Sequence, residues 1–551
     1  MTTTASPTVS PWAPLRRTVF RNLWIAVLAS NVGTWMQTVG AQWLVVPEPN
    51  AATWVSSVQA ATTIPVLLLA LPSGALADRF DRRRLLLAVQ SGLFVVGCVL
   101  TALTVMDLMP PPLLLVFTFL LGVGQALTLP SWQAIIPEVV PRDEIPSASA
   151  LGAVNTNLAR SAGPAVAGLL VAHIGPAAVF AINAVSFGVF ALALLIWRRK
   201  PRTPASHPEH LGSALRAGGR YVRYSPVVRR LLGRVVLFVL PGSVIWGLLP
   251  LVAHQELHMG ASGYGILLAA LGVGAIAGAL LMPRIRDLIT PNRLVALAGV
   301  VYGLALIVIA LVPDRYAVTA VLVAAGLAWM TLVSRMNATL QLFLPNWVRA
   351  RGFGIYQVVF AGGQAVGALL WGQVAQSSSL RVAYLAAAAL MLLGTVTVAW
   401  WPIHEQDGTD RSPAIFWAEP HLMLEPHLDE GPVLVTAMYR VDEKNVDAFR
   451  EAMEDLRGSR QRTGATRWGL FRDGEDPARF VEVYQVPTWA EHLRQHEGRL
   501  TVRDEEIEEK AAALARGPAE ITHLLPADGN ADRNTDGNSD GNAGGKPDSG
   551  H

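Results

Sequence analysis

Two arginines stand where a charge is expensive. Arg160 and Arg335 read as the only charges well inside long apolar runs, and a charge at a bilayer centre costs at least about 2.5–3.5 kcal/mol on insertion scales. Such a group must pair or face water, and a guanidinium there can grip an anionic or carbonyl-rich solute. Arg160 equally suits a structural pair with Asn157 and a backbone carbonyl. No carboxylate accompanies them at depth, because Glu48, Asp107, Glu256 and Asp314 all fall near run ends. A second concentration of charge is GALADRFDRRR, Gly74 to Arg84, which packs four arginines and two aspartates into a tight joint between apolar runs. A third is Trp489-x-x-His492-x-x-x-His496, whose imidazoles share a helix face as metal ligands do. No third ligand is evident in the sequence, so neither a metal nor a cofactor is expected. The chain has no G-x-x-x-x-G-K-[ST], which excludes an ATP motor of that kind. Gly272-x-Gly274-x-x-Ala277 imitates a dinucleotide fingerprint, but it lies within an apolar run with no strand before it and reads as helix packing.

The elements that hold these residues are membrane spans. Of the 551 residues 52% are hydrophobic and 15% charged, against about 25% charged in a soluble chain. Crossing the hydrocarbon takes roughly 20 apolar residues. Twelve such runs occur, at 20–46, 53–76, 85–107, 112–136, 147–172, 174–197, 231–256, 262–283, 292–312, 316–341, 352–374 and 381–402. The first is too long for a signal-peptide core, so it is expected to remain as a span. Basic residues crowd the N-terminal arm and the joints after even-numbered spans: Arg16, Arg17, Arg79, Arg82 to Arg84, Arg198 to Lys200, Arg229, Arg230, Arg284, Arg349 and Arg351. The opposite joints hold only Arg315 and Arg381. Positive loops stay inside, which predicts cytoplasmic termini. The longest joint carries HLGSALRAGGRYVRYS, whose Arg216, Arg220 and Arg223 suit an amphipathic helix on anionic headgroups. Arg outnumbers Lys 40 to 4, as in a GC-rich bacterial genome. The lone Cys98 permits no intramolecular disulfide.

Six spans precede that joint and six follow it, and the halves echo each other. Gln133-x-x-x-Pro137 recurs as Gln341-x-x-x-Pro345, and Gly163-Pro-Ala-Val-Ala-Gly168 as Gly363-Gln-Ala-Val-Gly-Ala368. A six-plus-six repeat places a binding site near the midplane between the halves.

On these residues the chain resembles the major facilitator superfamily. Gly74, Asp78, Arg79, Arg82 and Arg83 fall on its loop 2–3 signature, with Asp81 where a second glycine is usual. The resemblance implies a gating loop. Residues 159–168, with Arg160, Gly163, Pro164 and Gly168, are similar to the span 5 signature of drug/proton antiporters, which implies export, coupled to protons. The arginine that family carries in span 4 is missing from LLGVGQA, Leu120 to Ala126. Residues 12–402 as a whole look like the transmembrane secretion effector group of siderophore and drug exporters. In the superfamily spans 1, 4, 7 and 10 line the cavity. Polar stripes run along all four here: Asn31, Thr34, Trp35, Thr38 and Gln42; Thr118, Gln125, Thr128 and Trp132; Ser243, Trp246, Pro250 and His254; Thr331, Ser334 and Arg335. They describe an amphipathic, aromatic cavity for a bulky, partly apolar solute, with Arg335 as the anion contact.

Residues 1–402 hold 27 Lys/Arg and 11 Asp/Glu, whereas residues 403–551 hold 17 and 30. The second region is therefore built differently. After a linker at 403–430, strand and helix patterns alternate as βαββαβ over 431–525, and a low-complexity tail occupies 526–551. This order looks like the antibiotic-biosynthesis-monooxygenase type of domain, which implies a ferredoxin-like fold that pairs into dimers. The expected architecture is an all-α polytopic membrane protein of twelve transmembrane helices with a C-terminal α+β ferredoxin-like domain. It comprises a cytoplasmic arm (1–19), two six-helix halves (20–197 and 231–402) joined by the linker 198–230, and the cytoplasmic appendix. The expected partners are a small-molecule substrate and the bilayer of the bacterial inner membrane, not nucleic acid. A membrane-tethered enzyme or ligand sensor acting through 431–525 is the alternative.

Overall fold

The computed structural model describes residues 10–70, 72–73, 80–197, 211–402, 414, 416–417, 423 and 426–527. Gly74, Asp78 and Arg79 of the expected gating loop lie outside them. The chain divides into two compact units, Met1–Asp407 and Gly408–His551.

The first unit is helical. It comprises α1 (Thr18–Leu44), α2 (Ala51–Leu69), α3 (Arg82–Val105), α4 (Pro111–Val139), α5 (Ile145–His173), α6 (Pro176–Ile196), α7 (Leu211–Tyr224), α8 (Pro226–Leu251), α9 (Ala261–Leu288), α10 (Pro291–Leu311), α11 (Arg315–Phe343), α12 (Asn346–Ser377) and α13 (Leu380–Val396). Start signals are local. Proline opens α4, α6, α8 and α10, where its missing N–H costs nothing. Asp81, Asp314 and Ser379 cap α3, α11 and α13 with side-chain oxygens. Among the described residues nine helices (α2, α3, α4, α6 and α8 to α12) are long and apolar enough to cross a membrane. The predicted spans at α1, α5 and α13 are helical but outside that set. Amides and hydroxyls dilute α1 and α5, and α13 has 17 residues.

Packing repeats with a fixed offset. In one half α1 lies on α5 and α6, α2 on α4, and α3 on α4 and α6; in the other α8 lies on α12 and α13, α9 on α11, and α10 on α11 and α13. The halves meet reciprocally, through α2 on α12 and α5 on α9. Backbones touch where α5 crosses α9: a Cβ on Gly168 would lie 2.8 Å from both Gly265 Cα and Ala261 O. Gly272 meets Ser161 Cα at 2.8 Å in the same sense, so the Gly272–Ala277 pattern is packing. The amphipathic α7 differs from a helix lying wholly on headgroups. It packs on α8 and α12, with Tyr221 edge-on to Trp347 at 5.7 Å.

The second unit holds β1 (Val433–Arg440), α14 (Val446–Thr463), β2 (Arg467–Arg472), β3 (Arg479–Val486), α15 (Trp489–Arg494), α16 (Val502–Ala512) and β4 (Glu520–Leu524). The sheet is antiparallel throughout, in the order β2-β3-β1-β4. β1 alternates as its sequence requires, burying Val433, Val435, Ala437 and Tyr439. The predicted helix face of Phe449, Ala452, Met453 and Leu456 is buried with it.

Candidate functional site

Between the two halves, near mid-length of α5 and α11, Trp35, Arg160, Pro164, Trp246, Gly272 and Trp329 line a small cavity together with Leu268, Leu271, Ala275 and Gly326. It encloses about 10 Å³, room for about one water. The Arg160 guanidinium stands over the Trp35 ring at 5.8 Å and reaches Met330 Sδ at 4.0 Å. Among the described residues its Nε has no hydrogen-bond partner, nor has Trp246 Nε1. Trp246 bridges the halves, with ring centroids 5.9 Å from Trp35 and 5.8 Å from Trp329. Asn157 donates to Ala153 O within α5, so the pairing with Arg160 that the sequence suggested is not made.

Above the cavity, toward the α1–α2 connection, the halves are sealed by polar contacts. Gln42 Nε2 donates to Trp246 O at 2.9 Å, and Tyr264 Oη donates to Gln42 Oε1. Trp43 stacks on Tyr264 and meets His254 edge-on at 5.9 Å. At the same end a Cβ on Gly372 would lie 3.0 Å from Ala52 O, and Gln376 donates to Asn50 at 2.9 Å.

Of the predicted cavity residues, Trp35 and Trp246 line the space. The others are not among its lining residues. Asn31 donates to Asn155 on α5 at 2.8 Å, Gln125 to Thr34 on α1 at 2.9 Å, and Thr38 to Thr34 O. Thr118 donates to Leu114 O, and Thr128 accepts from Gln90. Ser243 is fully buried and donates to Leu240 O. Trp132 is buried against Phe190 in a separate core cluster with Phe20 and Leu23. Thr331, Ser334 and Arg335 are not among the lining residues. At 100° per residue they lie about 120–160° round α11 from Trp329. The Arg335 Nε and the Thr331 hydroxyl have no hydrogen-bond partners among the described residues. Trp329 was not legible as a lining residue because it lies on the opposite side of α11 from that helix's polar stripe.

The described part of loop 2–3 binds helix ends. Arg82 Nη1 donates to Ala134 O and Glu138 Oε1, each at 3.1 Å. Arg83 donates to Leu194 O and Leu195 O at the C-terminus of α6, where cations are favoured. Asp81, the departure from the family pattern, accepts from Arg84 N at 2.9 Å. A third intramembrane arginine was missed. Arg234, 4% exposed, donates to Gly394 O, Thr397 O and Trp401 O. It satisfies carbonyls around the end of α13, and its place four residues into a run was the available signal. Outside the spans, Arg17 forks onto Glu144 at 2.9 and 3.0 Å, and that hydrogen bond holds the Glu144 carboxyl below its usual range.

In the second unit a buried Arg460 pairs with Glu482 at 3.1 Å and Glu508 at 2.8 Å. Burial disfavours the guanidinium charge, but the two carboxylates more than offset it and push its pKa up. Trp468 and Tyr439 also donate to Glu482, and Trp417 to Glu508. Beside this centre the structure supplies what the sequence lacked, a third imidazole. His492, His496 and His523 present ring nitrogens within 4.8 Å of one another. Burial, then the neighbouring imidazoles, pushes His492 down to about 3, and burial pushes His496 down to about 4. These rings are neutral at pH 7.

The profile of the transmembrane secretion effector family matches residues 9–529. The chain is similar to the staphyloferrin A transporter of Staphylococcus aureus, 25% identical over 278 residues, covering 50% of this chain and 70% of that protein. It is similar also to the enterobactin exporter EntS of Escherichia coli, 28% identical over 334 residues, covering 59% and 77%. Among solved structures it superposes on the nucleoside transporter NupG in a point-mutant form, with a TM-score of 0.60 at 11% identity over 70% of this chain and 100% of that one. A bacterial homolog of the human lysosomal transporter Spinster, inward-facing and occupied, gives 0.55 at 15% identity over 70% and 95%. At those identities the structural likeness establishes the fold alone.

Proposed function

The chain belongs to the transmembrane secretion effector family, and from that premise we propose that it exports a bulky, partly aromatic, anion-bearing small molecule by alternating access. The carrying observation is the Arg160 pocket, a cation among three tryptophans on the seam between two halves with matching internal packing. Such a lining suits a solute with an aromatic body and a carboxylate or catecholate-like anion. The relatives named for staphyloferrin A and enterobactin direct the reading to siderophores and similar secondary metabolites.

On this reading α1–α6 and α8–α13 are the twelve spans of a six-plus-six repeat in the inner membrane, with both termini cytoplasmic. The sealed end by the α1–α2 connection is then the outer end, and solute enters from the cytoplasm. Arg335, about 9 Å along α11 from Trp329 toward that cytoplasmic end, is a site on the approach. The antiporter-like motif suggests proton coupling, although among the described residues no Asp or Glu stands at mid-length of a span helix. The β2-β3-β1-β4 order with a helix after β1 and helices after β3 supports reading the second unit as a ferredoxin-like domain. It serves the carrier as a regulatory or dimerising appendix.

The test is a deletion strain compared with its complemented form for intracellular accumulation and medium content across a panel of siderophores and drugs. Retention of an anionic aromatic compound in the deletion strain, released by the wild-type gene, is expected. Identical profiles across the panel would sink the exporter reading.

A further inference from the structure

We infer that His492, His496 and His523 form a binding site for a divalent first-row transition metal of the zinc type. His492 lies on α15 and His496 in the single π turn that follows it (Gln495–Arg499), four residues apart and on one face. His523 comes from β4, opposite Val435 of β1. The three rings form one cluster, with centroids 4.7 Å apart for His492 and His496 and 4.8 Å for His492 and His523.

The spacing fits an ion. Two imidazole nitrogens each about 2.05 Å from a tetrahedral metal stand about 3.3 Å apart, and His492 Nε2 faces His496 Nε2 at 3.2 Å. Gln495 Oε1 sits 3.4 Å from His492 Nδ1, placed to accept its N–H. That tautomer leaves the Nε2 lone pair free for a metal, the usual outer-shell arrangement. Among the described residues His496 Nδ1 is buried with no hydrogen-bond partner, so the fold satisfies Nε2 of this ring, against His492, and leaves Nδ1 unsatisfied. An aromatic ring and a charged centre lie next to the cluster. Trp417 packs on His496 at 4.7 Å and on Arg460 at 4.7 Å. Behind it Arg460 pairs with Glu482 and Glu508.

Three imidazole nitrogen donors favour zinc, with cobalt as its spectroscopic stand-in, over magnesium or calcium, which prefer oxygen. The ion would tie β4, which pairs with β1 at the edge of the sheet of described strands, to α15.

The experiment uses the full chain in detergent, purified without a polyhistidine tag and stripped with a chelator. Titration with Co²⁺ should give one equivalent of tetrahedral absorption, displaced by Zn²⁺. His496→Gln and His523→Gln should each weaken Zn²⁺ binding roughly 100-fold or more, and His427→Gln should leave it unchanged. Hydrogen exchange over β1 and α14 shows that the variants remain folded. Should one variant unfold, the other carries the test. Absence of stoichiometric Co²⁺ binding by the wild-type chain overturns the site and leaves the three rings as an aromatic cluster joined by an N–H···N bond. Unchanged affinity in a folded His523→Gln variant overturns it too.

Discussion

Arg160 carries an imbalance that a solute can relieve. Its place at mid-helix costs at least about 2.5–3.5 kcal/mol on insertion scales, while a cation–π contact such as that with Trp35 returns about 0.5–2 kcal/mol. With no carboxylate paired to it and Nε unpartnered among the described residues, the remainder falls to water or to a bound anion. Arg160→Ala should therefore weaken solute binding to purified protein at least about tenfold, equivalent to about 1.4 kcal/mol, at unchanged expression. Arg160→Lys should keep part of the affinity, because the charge stays while the stacking plane is lost. Arg335→Ala should leave affinity in detergent within about threefold of wild type and slow efflux in cells, as a residue on the approach would. Equal losses of affinity in Arg160→Ala and Arg335→Ala would remove the distinction between pocket and approach.

At the scale of elements, the seam between halves is set by glycine. Where α5 crosses α9, a Cβ on Gly168 would meet backbone atoms, which cannot swing aside as a side chain can. Gly168→Leu should cost about 1–3 kcal/mol by overpacking, but only in the state that closes this end. That shifts the access equilibrium roughly 5- to 150-fold. Expected are faster labelling of an Ala52→Cys reporter at the sealed end and lost efflux, with normal membrane insertion. Unaltered labelling would show that the crossing does not open during transport. The tie between the N-terminal arm and the start of α5 depends on pH. The Glu144 carboxyl is held low by Arg17, so the tie is complete above the unfolded value of about 4.3 and lost as pH falls through the depressed one. Hydrogen exchange of residues 10–23 should be flat from pH 8 to 5 after correction for intrinsic rates. It should rise below pH 4, whereas Glu144→Gln should show the raised exchange throughout. A pH-independent wild type would assign the arm's protection to other contacts.

For the whole molecule, transport belongs to Met1–Asp407 if the pocket carries it, so a chain truncated after Asp407 should retain measurable efflux at matched expression. Complete loss would return function to the second unit. The division into an apolar helical region and an acidic α+β region was legible in composition, since runs of twenty apolar residues have few stable fates and periodicity switches from 3.6 to 2 at Pro432. The family was legible as well, because its signatures are local in sequence and sit on joints and helix crossings. The site was legible only in part. Trp35, Trp246 and the Arg160–Pro164 motif emerged from sequence, but the amides Asn31, Gln42 and Gln125 bond neighbouring helices, and the hydroxyls of Thr38, Thr118 and Ser243 bond carbonyls of their own. A polar group in a membrane helix is satisfied equally by a neighbouring helix or by a cavity, and periodicity does not say which face meets which partner. Trp329 on α11 and His523 on β4 took their places through neighbours more than twenty residues away along the chain. Spans, charge asymmetry and family were thus determined by the sequence itself, through local hydropathy and spacing. Which face of each helix meets the seam, and which imidazole completes the cluster, was decided by tertiary packing, because only the folded chain brings those distant side chains within reach of one another.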